Sequence, residues 1–414
     1  LSNADPAQSL RQRLQPQQRQ LFLLASGLST AGSFAGLTAK GWILMHGTGE
    51  PLMLALHFAA LSLPALLLSG PAGVLTDRIG SEVVLIRAQW GLFAGGLLGA
   101  LAIPLLAGQA QVLLLLLSTL VVGVASSFEL TARNKYTALL VDAPSELAPF
   151  LASFSVVFNV GKLVGPPLGG WLLAIAGPTL ALGIDAATYL LPIATVLWLL
   201  SPRREAERSS GEGRSASLAT AWRECGPQLR HILRFTALAC LVVFFHPGLA
   251  PYMAAELVGP SPYALGLFTG VLAAGSITGG LLLQRQSRWW SQRPGLLLGG
   301  CTTITAGAQL LLACAGSSQL LSLAMVFLIG MGTAGLLGGS SLISQVGSPM
   351  QLRGRMAGLA QIAFLGGGGL SGLLAALLTR RYGLMATCGL LGGIGLALGL
   401  TELWKRGGMR LKEA

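Results

Sequence analysis

Few residues of this chain could do chemistry, and most of them stand inside long apolar runs. Glu129 and Arg133 are four residues apart, the spacing that puts two side chains on one helical face. An acid so placed either ion-pairs with its neighbour or serves as a protonation site. Lys162 follows Asn159 by three residues, on nearly the same face. A cation there needs a partner or a wet cavity, because hydrocarbon solvates it poorly. Asp185 is a second interior acid in the first half of the chain. His246 precedes Pro247-Gly248, so it could relay protons near neutral pH or donate to the carbonyls that a proline frees. Asp77 and Arg78 stand where two apolar runs meet, in Gly73-Val74-Leu75-Thr76-Asp77-Arg78-Ile79-Gly80, which reads as a short loop marking where a helix leaves the membrane.

Composition dictates the elements that hold these groups. Charged residues are 10% of the chain and hydrophobic ones 53%; a soluble domain carries roughly 25% charge, so water cannot solvate this surface. The fold class implied is an all-α membrane protein. Its 57 glycines suit close approach of transmembrane helices, where lipid offers no hydrophobic drive for association. With about 20 apolar residues needed per span, twelve spans are expected, at roughly 20–46, 51–75, 83–107, 110–133, 148–176, 178–200, 231–257, 262–284, 294–315, 318–343, 355–379 and 383–404. On this map Lys162 lies about 21 Å into the fifth span, near mid-bilayer. Asp185 lies about 10 Å nearer the outer surface, which leaves a direct pair with Lys162 open.

The distribution of charge sets orientation. Most of the 27 Lys and Arg fall at the termini and after even-numbered spans, while Arg380 and Arg381, with Lys40 close by, mark the other side. Lysine and arginine collect on the cytoplasmic side, so both termini are expected in the cytoplasm of a multi-pass protein of the cell inner membrane. The net charge of +12 is then a topology signal, and no nucleic-acid partner is implied. The chain divides into an N-terminal segment 1–19, a six-helix half 20–200, a charged and Ser/Gly-rich linker 201–230, a second half 231–404 and a tail 405–414. Leu1–Ala4 read as a processing remnant in a chain that does not open on Met. The run Gly73 to Arg78 is echoed by Gly280-Leu281-Leu282-Leu283-Gln284-Arg285, and Pro144, Leu147 and Ala152 by Pro349, Leu352 and Ala357, at nearly equal offsets. This points to duplicated, pseudo-symmetric halves.

Twelve spans with Gly-x-Leu-x-Asp-Arg-x-Gly after the second closely resemble the major facilitator superfamily along essentially the whole chain. Gly161-Lys162-Leu163-Val164-Gly165-Pro166-Pro167-Leu168-Gly169-Gly170 looks like the signature of its proton-coupled exporters. Asn159 and Lys162 before Gly165-Pro166, with Gln345 and Arg353-Gly354-Arg355, are similar to the branch of enterobactin-type siderophore exporters and macrolide efflux pumps. The pattern departs after Gly80, where two basic residues are usual and Ser81-Glu82 stand, and at Lys162, where arginine is usual. The resemblance implies a cytoplasmic gate in which Asp77 faces the start of span 11, with Arg78, Arg133, Arg353 and Arg355 around it. It also implies a cavity between the halves lined by spans 1, 4, 7 and 10, with Ser29, Thr30, Ser33, Ser126, Glu129 and His246 as candidate lining groups.

Gly161, Gly165, Pro166, Gly169 and Gly170 are expected to bend span 5 and to offer a small face to a helix of the other half. Gly366 to Gly369 should play a matching packing role. Candidate coupling or substrate residues are Glu129, Lys162, Asp185, His246 and Asn159. No P-loop, metal cluster or nucleophile–base pair is present, so neither an enzyme nor a cofactor is expected. So sparse a set of charges favours a bulky amphipathic cargo over small, strongly charged nutrients. The reading is a secondary active transporter, a proton-driven antiporter that exports an amphipathic small molecule such as a siderophore or drug by alternating access. Its partners are that substrate, protons and membrane lipids, and it is expected to be a monomer. The alternatives are a lipid or lysophospholipid flippase of the same fold and a transport-inactive protein of membrane assembly or sensing.

Overall fold

A computed structural model describes residues 6–141, 144–199, 222–223, 225–314, 318–348 and 353–406. Leu1–Ala4 and most of the 201–230 linker lie outside those residues. Within some helices the side chains too are outside the description, those of Arg353 and Arg355 among them.

The described chain is helical almost throughout. In order come α1 (Pro6–Thr48), α2 (Pro51–Ile79), α3 (Ser81–Leu105), α4 (Gly108–Leu139), α5 (Pro144–Thr188), α6 (Leu190–Leu199), α7 (Pro227–Val243), α8 (His246–Leu257), α9 (Pro262–Arg285), α10 (Ser287–Ser291), α11 (Pro294–Ala313), α12 (Gln319–Val346), α13 (Arg353–Tyr382) and α14 (Leu384–Arg406). Several open on proline, whose fixed φ suits a first turn and whose missing N–H costs nothing there. Among the described residues eleven helical stretches are long and apolar enough to cross a membrane. One of them, Val156–Trp198, has 43 residues and is broken at Gly177, where φ 77 and ψ 172 leave the helical region. That stretch is therefore two spans, which brings the count among the described residues to twelve. Large apolar side chains such as Leu67 (75% exposed) and Leu320 (81%) lie on the outside, as a surface facing lipid requires.

Two local expectations are corrected. The Gly73–Gly80 segment is not an eight-residue loop: α2 runs through Asp77 and Arg78 to Ile79, and Gly80 alone turns the chain at φ 92. Arg78 in a last helical turn suits the negative end of the helix dipole, so the helix has no reason to stop at Gly73. The backbone of span 5 keeps helical dihedrals through Pro166-Pro167 and leaves them at Gly177. The small face of that span meets α1 of its own half. A Cβ on Gly161 would fall 2.7 Å from the carbonyl oxygen of Gly27, and one on Gly165 2.5 Å from that of Ala31. Gly169 lies equally close to Ala35. Both helices carry small residues every fourth position, so their backbones approach along a common stripe.

The residues form two compact units, Leu1–Lys40 with Leu67–Gly213, and Gly41–Leu66 with Arg214–Ala414. The division thus passes through α1 and α2. In the second unit Leu54 and Ala55 share an apolar core with Phe245, Leu249 and Met253, and Glu50 pairs with Arg380 at 3.4 Å. Gly367 and Gly368 of α13 rest on Ala237, Cys240 and Phe244, and Gly369 meets Ser62. Gly275 and Gly279 of α9 press on the Phe327 and Met331 carbonyls of α12.

Candidate functional site

The first unit buries two polar clusters at different depths. The inner one joins α3, α4 and α5. Glu129 and Arg133 face each other across one turn of α4, with Nη1 donating to Oε1 at 2.7 Å, and Gln89 of α3 adds a second donor to the same oxygen at 3.2 Å. Glu129 is 6% exposed and Arg133 5%. The Arg133 guanidinium carbon lies 4.2 Å from the centre of the Phe158 ring and 5.6 Å from that of Phe154. Lys162 Nζ lies 4.4 Å from the same Phe158 ring. Phe154, Phe158 and Lys162 recur every fourth residue, so α5 aims one face at the pair on α4. Phe22 of α1 packs behind, 6.1 Å from Phe154 and 5.2 Å from Tyr136 between ring centres. One carboxylate therefore stands among two cations that share one aromatic ring. A desolvated cation–π contact contributes about 2 kcal/mol, while a buried carboxylate is tolerated only with such partners.

The outer cluster was not legible as a set. Asp185 pairs electrostatically with Lys40, and both are 3% exposed. Lys40, expected near the outer surface, is interior because two glycines admit it. Its side chain crosses Gly99 of α3, where a Cβ would stand 3.1 Å from Nζ, and Asp185 Oδ2 presses on Gly36 of α1. Tyr189, 1% exposed, sits one helical turn beyond Asp185. The Tyr189 hydroxyl interacts with Asp185 and with Ser33 of α1. The Lys162–Asp185 pair left open by the sequence is not formed: each acid has its own cation, Arg133 for Glu129 and Lys40 for Asp185.

In the second unit His246 is 2% exposed, edge-on to Phe244 at 5.1 Å, with Nδ1 unpartnered among the described residues. The kink falls where Pro247 demands it, between α7 and α8. Gln309 of α11 meets the freed carbonyl, its Nε2 reaching Val243 O at 2.7 Å, and the His246 ring also interacts with the Val243 backbone. His231 and Glu402 join α7 to α14 at 3.0 Å. Neither Gln309 nor the His231–Glu402 pair carries a local motif that would have revealed it.

The remaining candidates are scattered. Asp77 is exposed and accepts from Lys135 at 3.1 Å. Arg78 is exposed on the last turn of α2, and Arg353 and Arg355 open α13 with side chains outside the described residues. Thr30 and Ser33 spend their hydroxyls on carbonyls one turn back, at 2.8 Å each. Asn159 lies on α5 a turn before Lys162 and is engaged with a neighbour. A cavity of about 460 Å³ between the end of α2, α3 and α4 is lined by apolar side chains and Arg87 and includes none of the cluster residues in its lining. Among the described residues no group of three His, Cys, Asp or Glu could hold a metal.

Residues 22–373 match the family model described as Major Facilitator Superfamily. The chain is 25% identical over 387 residues to the multidrug efflux pump Tap of Mycolicibacterium fortuitum, covering 89% of this chain and 91% of that one. An uncharacterized transporter of the same superfamily, YddS of Bacillus subtilis (strain 168), is 31% identical over 156 residues, 37% of this chain and 33% of its own. Among solved structures, a point mutant of the nucleoside transporter NupG aligns with TM-score 0.74 at 12% identity, covering 94% of this chain and 99% of that one. A D-xylose–proton symporter aligns with TM-score 0.74 at 13% identity, covering 94% and 98%. At such identities the two structures speak for the fold.

Proposed function

Because the chain belongs to the Major Facilitator Superfamily, which makes it a transporter and not an enzyme, we propose that it exports an amphipathic small molecule in exchange for protons by alternating access. The observation that carries this reading is the Glu129–Arg133–Lys162 cluster. An intramembrane acid held by one arginine and one glutamine, beside a second cation, is a group whose proton occupancy can be coupled to its surroundings. Protonating Glu129 would release Arg133 from its ion pair, which gives a proton the means to alter how this half packs. The resemblance to Tap, a multidrug efflux pump, supports export of an apolar cargo, and the sparse interior charge agrees. Both termini are proposed to be cytoplasmic, in the inner membrane of a bacterium, with the protein acting as a monomer.

The test is transport in proteoliposomes with an imposed pH gradient, alongside the Glu129→Gln variant. The wild type should move a fluorescent amphiphile against its gradient and should collapse the proton gradient when the amphiphile is added. Glu129→Gln should lose the dependence on the proton gradient. A wild type that dissipates no proton gradient with any of a panel of amphiphiles would refute proton-driven export.

A further inference from the structure

From the same cluster we infer a recognition site for an acidic group: the cargo carries a single carboxylate, sulfonate or phosphate on an apolar body, and Lys162 receives that group. The inference rests on the export reading above and deepens it. Three observations carry it. First, the charges do not balance, since among the described residues Glu129 is the one carboxylate in contact with Arg133, and Arg133 and Lys162 share the Phe158 ring at 4.2 and 4.4 Å. Second, among the described residues Lys162 forms no ion pair and its ammonium rests on an aromatic face, so its donors are available. Arg133 Nε, buried, is likewise without a partner there. Third, Lys162 is half-buried whereas Glu129 and Arg133 are nearly closed off, so of the two cations Lys162 is the more accessible. The rings of Phe154 and Phe158 supply an apolar wall beside the charge, as an amphiphile requires.

A cationic head would meet repulsion from two like charges at this site. An anionic head would instead complete the electrostatics: two cations and Glu129 are left with one charge to neutralise. A charge-assisted hydrogen bond of this kind is typically worth a change in affinity of about ten- to a hundredfold. The acidic group could belong to a soluble amphiphile or to a lipid headgroup, and the experiment separates the two.

Proteoliposomes would be assayed with dansyl-labelled undecanoate, with the trimethylammonium amphiphile of the same chain, and with fluorescent lysophosphatidylglycerol, for the wild type, Lys162→Met and Lys162→Arg. The expected result is that Lys162→Met weakens undecanoate transport at least about tenfold relative to its effect on the cation, and that Lys162→Arg keeps undecanoate transport within a few fold of the wild type. If the lysolipid shows this dependence and undecanoate is not moved, the recognised group is a lipid headgroup and the inference stands. Should the wild type move only the cation, or should Lys162→Met handle both acids as the wild type does, the inference falls while export survives. Should the wild type move none of the three, both fall together. A readout on the unmodified protein guards against misfolding of the variant: undecanoate, and not the cation, should protect Lys162 from acetylation by an N-hydroxysuccinimide ester. Equal protection by both would also overturn the inference.

Discussion

The two halves of this transporter share a helical plan and differ in what they bury. In the first, Lys40, Glu129, Arg133 and Asp185 are 3–6% exposed and act between helices, tying α1, α3, α4, α5 and the sixth span together. In the second, the buried carboxylate among the described residues is Glu402, and beside it and the buried His246 and Gln309 stand many hydroxyls that bond carbonyls of their own helix, such as Thr302 to Leu298 at 2.7 Å and Thr333 to Ile329 at 2.7 Å. A hydroxyl satisfied within its helix adds little to packing specificity. A buried charge must find its partner on the same face or on another helix and so dictates register. Among the described residues the halves thus differ in buried ion pairs: the first buries two acids and two cations between its helices, and the second buries the Glu402 carboxylate beside His231.

Substitutions can break or sharpen that contrast. The largest effect is expected from Arg133→Ala, which strands the buried Glu129 carboxylate and should cost about 3–5 kcal/mol of stability. Much of the loss in melting temperature should return in the double variant with Glu129→Gln, and no recovery would mean that the pair does not act as a unit. Next comes Lys40→Met, which leaves Asp185 without its cation and should destabilise by up to about 3 kcal/mol, with Lys40→Met/Asp185→Asn milder than either alone. If the double variant is merely additive, the outer cluster is not a coupled pair.

In the second half the heaviest polar loss should be Gln309→Leu, which orphans the Val243 carbonyl at the α7–α8 kink and costs about 1–3 kcal/mol. A loss matching that of Arg133→Ala would erase the contrast between the halves. Smallest in stability is Asp77→Ala, because its bond to Lys135 is exposed and worth about 0–1 kcal/mol. Its interest is conformational: if Asp77 serves as a cytoplasmic latch, thiol probes on that face should react faster in the variant. Unchanged labelling would leave Asp77 as a solvated helix end.

Much of this was legible along the chain. Apolar run length alone marks the twelve spans, and the Glu129–Arg133 pair follows from a four-residue spacing within one helix. The same spacing in Phe154, Phe158 and Lys162 was equally available as a signal that α5 turns this face toward a charge. What could not be read was anything depending on which helices touch. Gly161, Gly165 and Gly169 announce a close contact, and nothing in their order says that the partner is Gly27, Ala31 and Ala35 of the same half. Lys40 looks like a residue of the outer surface until Gly36 and Gly99 are seen to make room for it beside Asp185.

The sequence by itself thus determined the membrane class, the span count, the family and the local pairs, because hydrophobic run length, glycine–proline turns and helical periodicity act over a few residues. Only the tertiary structure decided which acid meets which cation, that Arg133 and Lys162 converge on one ring, and that Gln309 closes the kink at Val243. Those contacts join residues tens to more than a hundred positions apart, and they depend on helix rotation and depth, which are set by the packing of whole helices.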